Sequence, residues 1–278
     1  MIRTLQPTDP EYPTRLLELH DRPAMLWVDG VLPDPSRPMV ALVGTRKASA
    51  HGRDAAARLA GDLARAGVVI VSGGALGIDA AAHRGALAVG GTTLVVLPTG
   101  IERPHPAGHR RLFREIVEAG GACLTERAPD EPIGKWCFVA RNRLVAALAS
   151  WIVVVEARAR SGTRATVDAA RRLGRPLAAV PWRTIDPAEG GLELLREGAL
   201  PVIGARDILD RLGIAAADPI ARAPIPALLA ERGPLTAEAI ARALDLALVE
   251  VLGQLTTLEI EGTLALEPGG RYRLGTRG

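Results

Sequence analysis

From residue 38 onward, short wholly apolar runs alternate with longer amphipathic stretches, and no other feature restricts the fold as much. The runs 39–44, 68–72, 92–97, 122–125, 151–155 and 177–180 are four to six residues long. Between them, 50–66, 78–89, 107–119, 138–149 and 163–173 carry apolar residues at helical spacing. A strand with no polar alternation must be covered on both faces, which happens when crossover helices flank a parallel sheet. The spacing therefore predicts an α/β fold over 38–214, a Rossmann-like doubly wound parallel sheet. Residues 1–37 are Pro-rich and contain one strand-like string, 23–30. They are read as an N-terminal arm packed on that domain.

After Gly213 the pattern changes. Residues 215–223 are small and Pro-containing, as in a linker. Residues 224–278 read as three short helices, 225–232, 236–244 and 248–262, with Thr236 capping the second. A hairpin follows, 263–266 and 272–274 around Pro268-Gly269-Gly270. That order of elements predicts a small C-terminal winged-helix domain.

Composition narrows the function. The chain has 278 residues, 48% of them hydrophobic, and a net charge of +3. This excludes intrinsic disorder. Cys123 and Cys137 are the only cysteines, so neither a disulfide framework nor a zinc cluster is expected. No apolar run is long enough to cross a bilayer, and residues 1–13 lack the apolar stretch of a signal peptide. A cytoplasmic protein is expected, without metal or cofactor. The mild net charge hides an uneven distribution: residues 38–223 hold 25 basic and 18 acidic side chains, whereas 224–278 hold five and seven. The basic surplus lies in the α/β region. The predicted third helix of the C-terminal module carries glutamates and no Lys or Arg, which argues against duplex recognition by it. Arg271, Arg273 and Arg277 near the wing leave it a modest DNA role.

In an open parallel sheet, ligands bind beyond the carboxyl ends of the strands. Those ends carry the unusual residues here. The first ends in Gly44-Thr45-Arg46-Lys47 and the second in Ser72-Gly73-Gly74-Ala75-Leu76-Gly77-Ile78-Asp79. The third ends in Pro98-Thr99-Gly100. The fifth ends in Glu156-Ala157, followed by Arg158, Arg160 and Ser161-Gly162-Thr163. Glycine lets a backbone approach a ligand, and helix N-termini offer free N–H groups, so the edge suits an anion such as phosphate. The string Lys135-Trp-Cys-Phe-Val-Ala-Arg-Asn-Arg143 adds cations and an aromatic ring on which a base can stack. Arg141 and Arg143 cannot face the same way on a helix, so one of them is expected to be structural. The second string lacks both the dinucleotide and the Walker fingerprint. A nucleotide-binding or nucleoside-phosphate-hydrolysing enzyme with Glu156 and Asp79 as acid/base groups stays open as an alternative, and so does a transcription regulator acting through the winged helix. His83, one turn after Asp79, is read as structural.

Taken together the strings resemble the DprA (Smf) family of DNA-processing proteins. Those that carry the resemblance are Val43-Gly-Thr-Arg46, Ser72-Gly-Gly-Ala-Leu-Gly-Ile-Asp79 with Ala82-His83, Phe138-Val-Ala-Arg-Asn-Arg143, Val155-Glu-Ala157, Ser161-Gly-Thr163, Gly174-Arg-Pro176 with Ala179-Val-Pro181, and Glu197-Gly-Ala199. Their order and spacing cover about residues 12–213. Trp182 stands where the family usually has glycine, and Gly190-Gly191-Leu192-Glu193 replaces a usual Gly-x-Asn stretch. The helical domain that often opens members of the family has no counterpart in these residues.

The resemblance implies a non-catalytic protein that binds and protects incoming single-stranded DNA during natural transformation and loads RecA recombinase on it. It also implies a homodimer formed through the Rossmann-like domain. Carried over by motif, the family's DNA contacts fall on Arg46, Lys135, Phe138, Arg141 and Asn142, beside the loop Ser72, Gly73, Gly74 and Gly77. Lys47, Arg143, Ser161, Gly162 and Thr163 complete the candidate set.

Overall fold

The structure is a computed structural model that describes residues 2–158, 161–182, 189–214, 224–244 and 246–275. Arg160, Arg277 and the linker 215–223 lie outside the described residues. The chain forms two compact units, Met1–Ala215 and Ala216–Gly278.

The first unit is built on a nine-stranded sheet. Its strands are β1 (Arg3–Leu5), β2 (Leu26–Gly30), β3 (Met39–Gly44), β4 (Val69–Ser72), β5 (Thr93–Val96), β6 (Ala122–Thr125), β7 (Trp151–Glu156), β8 (Leu177–Ala179) and β9 (Leu200–Pro201). They lie in the order β1-β2-β6-β5-β4-β3-β7-β8-β9. From β6 to β9 all neighbours are parallel. The N-terminal segment does more than pack on the sheet. Its β2 pairs antiparallel with β6, and β1 pairs with β2, so the arm supplies the edge.

The helices are α1 (Ala50–Arg65), α2 (Ile78–Leu87), α3 (Arg110–Glu118), α4 (Lys135–Leu148), α5 (Thr163–Arg172), α6 (Glu189–Arg196) and α7 (Ala205–Leu212). Helix α1 packs on α2 and α4 on α5. The strands between are buried along both faces: Val40, Ala41, Leu42, Ile70, Val71, Val95, Val153 and Val154 are fully shielded from water. This is why they read as unbroken apolar runs. From β3 the chain winds outward to β6, then returns to lay β7 on the other side of β3. The β3/β7 boundary is thus the topological switch point, where the loops leaving neighbouring strands part and open a crevice.

The second unit has its own core of Ile225, Leu228, Leu229, Ile240, Val251, Leu255 and Leu264. Helices α8 (Pro224–Arg232), α9 (Ala237–Leu244) and α10 (Leu248–Ile260) pack with a three-stranded antiparallel sheet. Its strands are β10 (Leu235–Thr236), β11 (Leu264–Glu267) and β12 (Arg271–Leu274), in the order β10-β12-β11. These are the elements of a winged helix. The Thr236 hydroxyl accepts the Ala239 N–H at 3.3 Å, capping α9 while its backbone pairs with Arg271 of β12. Val249 and Ile260 are largely exposed on α10.

Candidate nucleic-acid interface

A cleft of about 550 Å³ opens at the switch point. The β3–α1 loop lines it with Thr45, Arg46 and Lys47, the β4–α2 loop with Gly73 and Ala75, and the first turn of α2 with Asp79. Helix α4 contributes Lys135, Phe138, Val139, Arg141 and Asn142, and the β7–α5 segment Arg158, Ser161, Gly162 and Thr163. Helix α4 begins at Lys135, three residues earlier than the periodicity suggests, and Lys135 therefore stands in its first turn. Gly134, at the N-cap, donates its N–H to the Cys137 sulfur at 3.4 Å. Arg46, Lys47, Lys135 and Arg158 are exposed. Asp79 is the one carboxylate among the described lining residues, and it is buried.

Phe138 is half-buried and carries the Arg46 guanidinium 5.0 Å from its ring centre. His105, from the loop after β5, meets the same ring edge-on in a T-shaped contact at 5.0 Å. The sequence motifs do not point to His105. Its one signal is position, a few residues past Pro98-Thr99-Gly100 on the same sheet edge. Asn142 ties two walls together: its amide N–H donates to the Gly162 carbonyl at 3.3 Å, and its oxygen accepts from Arg141 Nε at 3.2 Å.

Arg141 is buried, and Nη1 donates to the carbonyls of Gly73 and Val96. Burial lowers its pKa to about 10, against the favourable charge of Asp79, so it stays a cation at neutral pH. It positions the glycine loop from beneath. A Cβ on Gly73 would collide with its guanidinium, which explains the glycine. Asp79 accepts from the Ala75 N–H at 3.3 Å, and burial raises its pKa although Arg141 opposes the shift. Glu156 is also buried; its carboxylate accepts from the Ser49 hydroxyl at 2.8 Å, and Ser49 Oγ in turn accepts the Gly52 N–H at 2.9 Å, capping α1. The two carboxylates considered as acid/base groups are thus occupied in holding loop and helix ends.

Four members of the predicted set lie off the cleft. The Ser72 hydroxyl points into the core and donates to the Leu42 carbonyl at 2.7 Å. Gly74 packs against Phe113, and its carbonyl accepts from His109 Nδ1 at 2.9 Å. Gly77 is the N-cap of α2 with φ +81°, where a Cβ would run into the Thr45 carbonyl. Arg143 points away, donating two hydrogen bonds to Glu126 at 2.7 and 2.8 Å and two to Asp21, to its carboxylate at 2.7 Å and its carbonyl at 2.8 Å. A half turn and more separates it from Arg141 on the helix, so the two diverge. His83 is buried; Thr93 donates its hydroxyl to the Ile70 carbonyl and accepts from His83 Nδ1 at 2.7 Å. Trp182 donates its indole N–H to the Val155 carbonyl and packs beside Ile78 and Ala56, filling space that a glycine would leave open.

The sequence model of the family described as DNA recombination-mediator protein A matches residues 3–213. The chain belongs to this family. It is 39% identical to the DNA processing protein DprA of Mycobacterium tuberculosis, over 98% of this chain and 77% of the relative. Among solved structures, Streptococcus pneumoniae DprA superposes with a TM-score of 0.69 at 35% identity, covering 75% of this chain and 74% of that one. Helicobacter pylori DNA processing protein A, whose single-stranded DNA binding mode was the subject of its structure, gives a TM-score of 0.67 at 30% identity, over 76% of this chain and 95% of that one. The family match spans the described cleft and stops before the C-terminal unit. Among the described residues no helix is long and apolar enough to cross a membrane.

Proposed function

We propose that this recombination mediator binds single-stranded DNA in the β3/β7 cleft and acts without catalysis. The observation that carries the reading is that Lys135, Phe138 and Asn142 of α4 meet Arg46 of the β3–α1 loop around one open basic crevice at the switch point. Arg46, Lys47, Lys135 and Arg158 attract phosphates, and the backbone around Gly73 and Gly162 lets the strand approach. A base stacks on the Phe138–Arg46 pair, since a guanidinium plane offers a stacking surface much as an aromatic ring does. Such contacts tolerate any base and weaken with salt. The H. pylori relative's binding of single strands supports the same reading here. On this basis the protein receives and protects incoming strands in the cytoplasm during natural transformation and loads RecA on them, as a homodimer joined through its α/β domain, 38–214. The winged-helix domain, 224–278, serves as an accessory module.

Fluorescence anisotropy with oligo-dT, duplex DNA and mononucleotides at two salt concentrations tests the binding. Tight, salt-sensitive binding of oligo-dT without nucleotide turnover is expected. Mononucleotide binding with product formation would overturn the reading. A RecA-loading assay on single strands coated with a strand-binding protein tests the mediator role, and loading that does not respond to this protein would refute it.

A further inference from the structure

Beside the main cleft, and sharing the walls formed by Arg46, Phe138 and Arg141, lies a smaller cavity of about 50 Å³ that His105 helps to line. We infer that His105 is a further DNA-binding residue of this interface, which gives a charged hydrogen bond to a backbone phosphate. The inference rests on the proposed single-strand binding and adds to it a proton that travels with the DNA.

Three observations converge. His105 is exposed, and among the described residues neither of its ring nitrogens has a hydrogen-bond partner, so both are available to a ligand. It and Arg46 lie 5.0 Å from the same Phe138 ring, so an anion held by Arg46 sits in the field of the imidazole. The charged groups facing it are Arg46 from the β3–α1 loop and Arg141 from α4. No carboxylate lines the smaller cavity among the described residues.

These surroundings favour neutral imidazole in the free protein. Partial burial and the Arg46 cation both lower its pKa. A phosphate reverses the balance, because it offsets Arg46 and accepts a hydrogen bond from the charged ring. Binding therefore raises the His105 pKa and takes up a proton. By reciprocity, protons strengthen DNA binding by the same factor. Affinity should rise as pH falls through the histidine range, by at most about tenfold per pH unit for one linked proton. Above that range His105 contributes packing alone.

The test compares oligo-dT affinity of the full chain and of His105→Phe at pH 6, 7 and 8 and constant ionic strength. Phenylalanine keeps an aromatic ring against Phe138 and removes the nitrogens. Titration of Asp79, common to both proteins, cancels in the comparison. The affinity of the unaltered chain should rise about three- to tenfold from pH 8 to pH 6 beyond any rise in the variant, with the two converging at pH 8. Parallel profiles would overturn the role of His105 and leave single-strand binding standing. Absence of oligo-dT binding by the unaltered chain at every pH would overturn both.

Discussion

The Arg46 guanidinium rests 5.0 Å from the centre of the Phe138 ring, joining the loop after β3 to the first turns of α4. The pair puts a cation and a stacking surface at one spot, and its two members should fail differently. Phe138→Ala should cost about 1–3 kcal/mol of single-strand affinity with the salt slope unchanged, because stacking releases no counterions. Arg46→Ala should lower affinity and reduce the salt slope by about one. Anisotropy titrations across a salt series separate the two. Equal salt slopes in the unaltered protein and Arg46→Ala would remove Arg46 from phosphate contact.

Arg143 belongs to the fold. It holds Glu126 with two hydrogen bonds, and the Glu126 side chain is only 11% exposed. Without Arg143 the shielded Glu126 carboxylate keeps the longer 3.7 Å contact with Arg127, so Arg143→Ala should destabilise the α/β unit by about 2–4 kcal/mol. Lys135→Ala, on an exposed side chain, should leave stability within about 0.5 kcal/mol and weaken DNA binding. Thermal melts paired with anisotropy below the transition decide this. A stable Arg143→Ala protein with weakened DNA binding would return Arg143 to the interface.

These contrasts show what the residues disclosed on their own. The parallel strands were legible because burial on both faces leaves no polar alternation, and the ligand edge followed from the residues at their carboxyl ends. β1 and β9 were not, since three and two residues carry no period. The motif around α4 named both arginines but could not assign them. The assignment depends on Glu126 and Asp21, 17 and 122 residues away in sequence, and on carbonyls at the ends of β4 and β5. Ser72 looked like a loop hydroxyl, yet β4 is buried to its last residue and turns it inward. His105 has no motif; it becomes visible only when folding lays its loop against Phe138.

Gly77 tests the loop geometry. Its φ of +81° is costly for any residue with a Cβ, and that carbon would strike the Thr45 carbonyl. Gly77→Ala should push the β3–α1 loop, and Arg46 with it, out of place, at a cost of about 1–3 kcal/mol in stability. Weaker oligo-dT binding should accompany the lower melting temperature. Gly108→Ala, where nothing lies within 4 Å of the added carbon, is the control. Matching behaviour of the two variants would contradict the account.

His83 makes stability depend on pH. Burial holds its pKa down at about 3, against 6.5 for a free imidazole. The Thr93 hydroxyl proton is committed to the Ile70 carbonyl, so His83 must donate from Nδ1, and its buried Nε2 has no partner to stabilise a second proton. Below pH 6.5 the unfolded chain takes up a proton that the native state refuses. Stability is therefore complete above that value and drains as pH falls toward about 3. The loss should reach about 2 kcal/mol between pH 7 and pH 5 from this one group. The raised Asp79 pKa acts in the opposite sense, favouring the native state as pH falls, but it does so equally with or without the imidazole. Urea unfolding of the unaltered protein and of His83→Gln over pH 5–7 isolates the effect, because glutamine can donate to Thr93 and does not titrate. The variant should be less stable at pH 7, with a distinctly flatter profile. Two parallel profiles would mean that His83 takes up its proton in the native state.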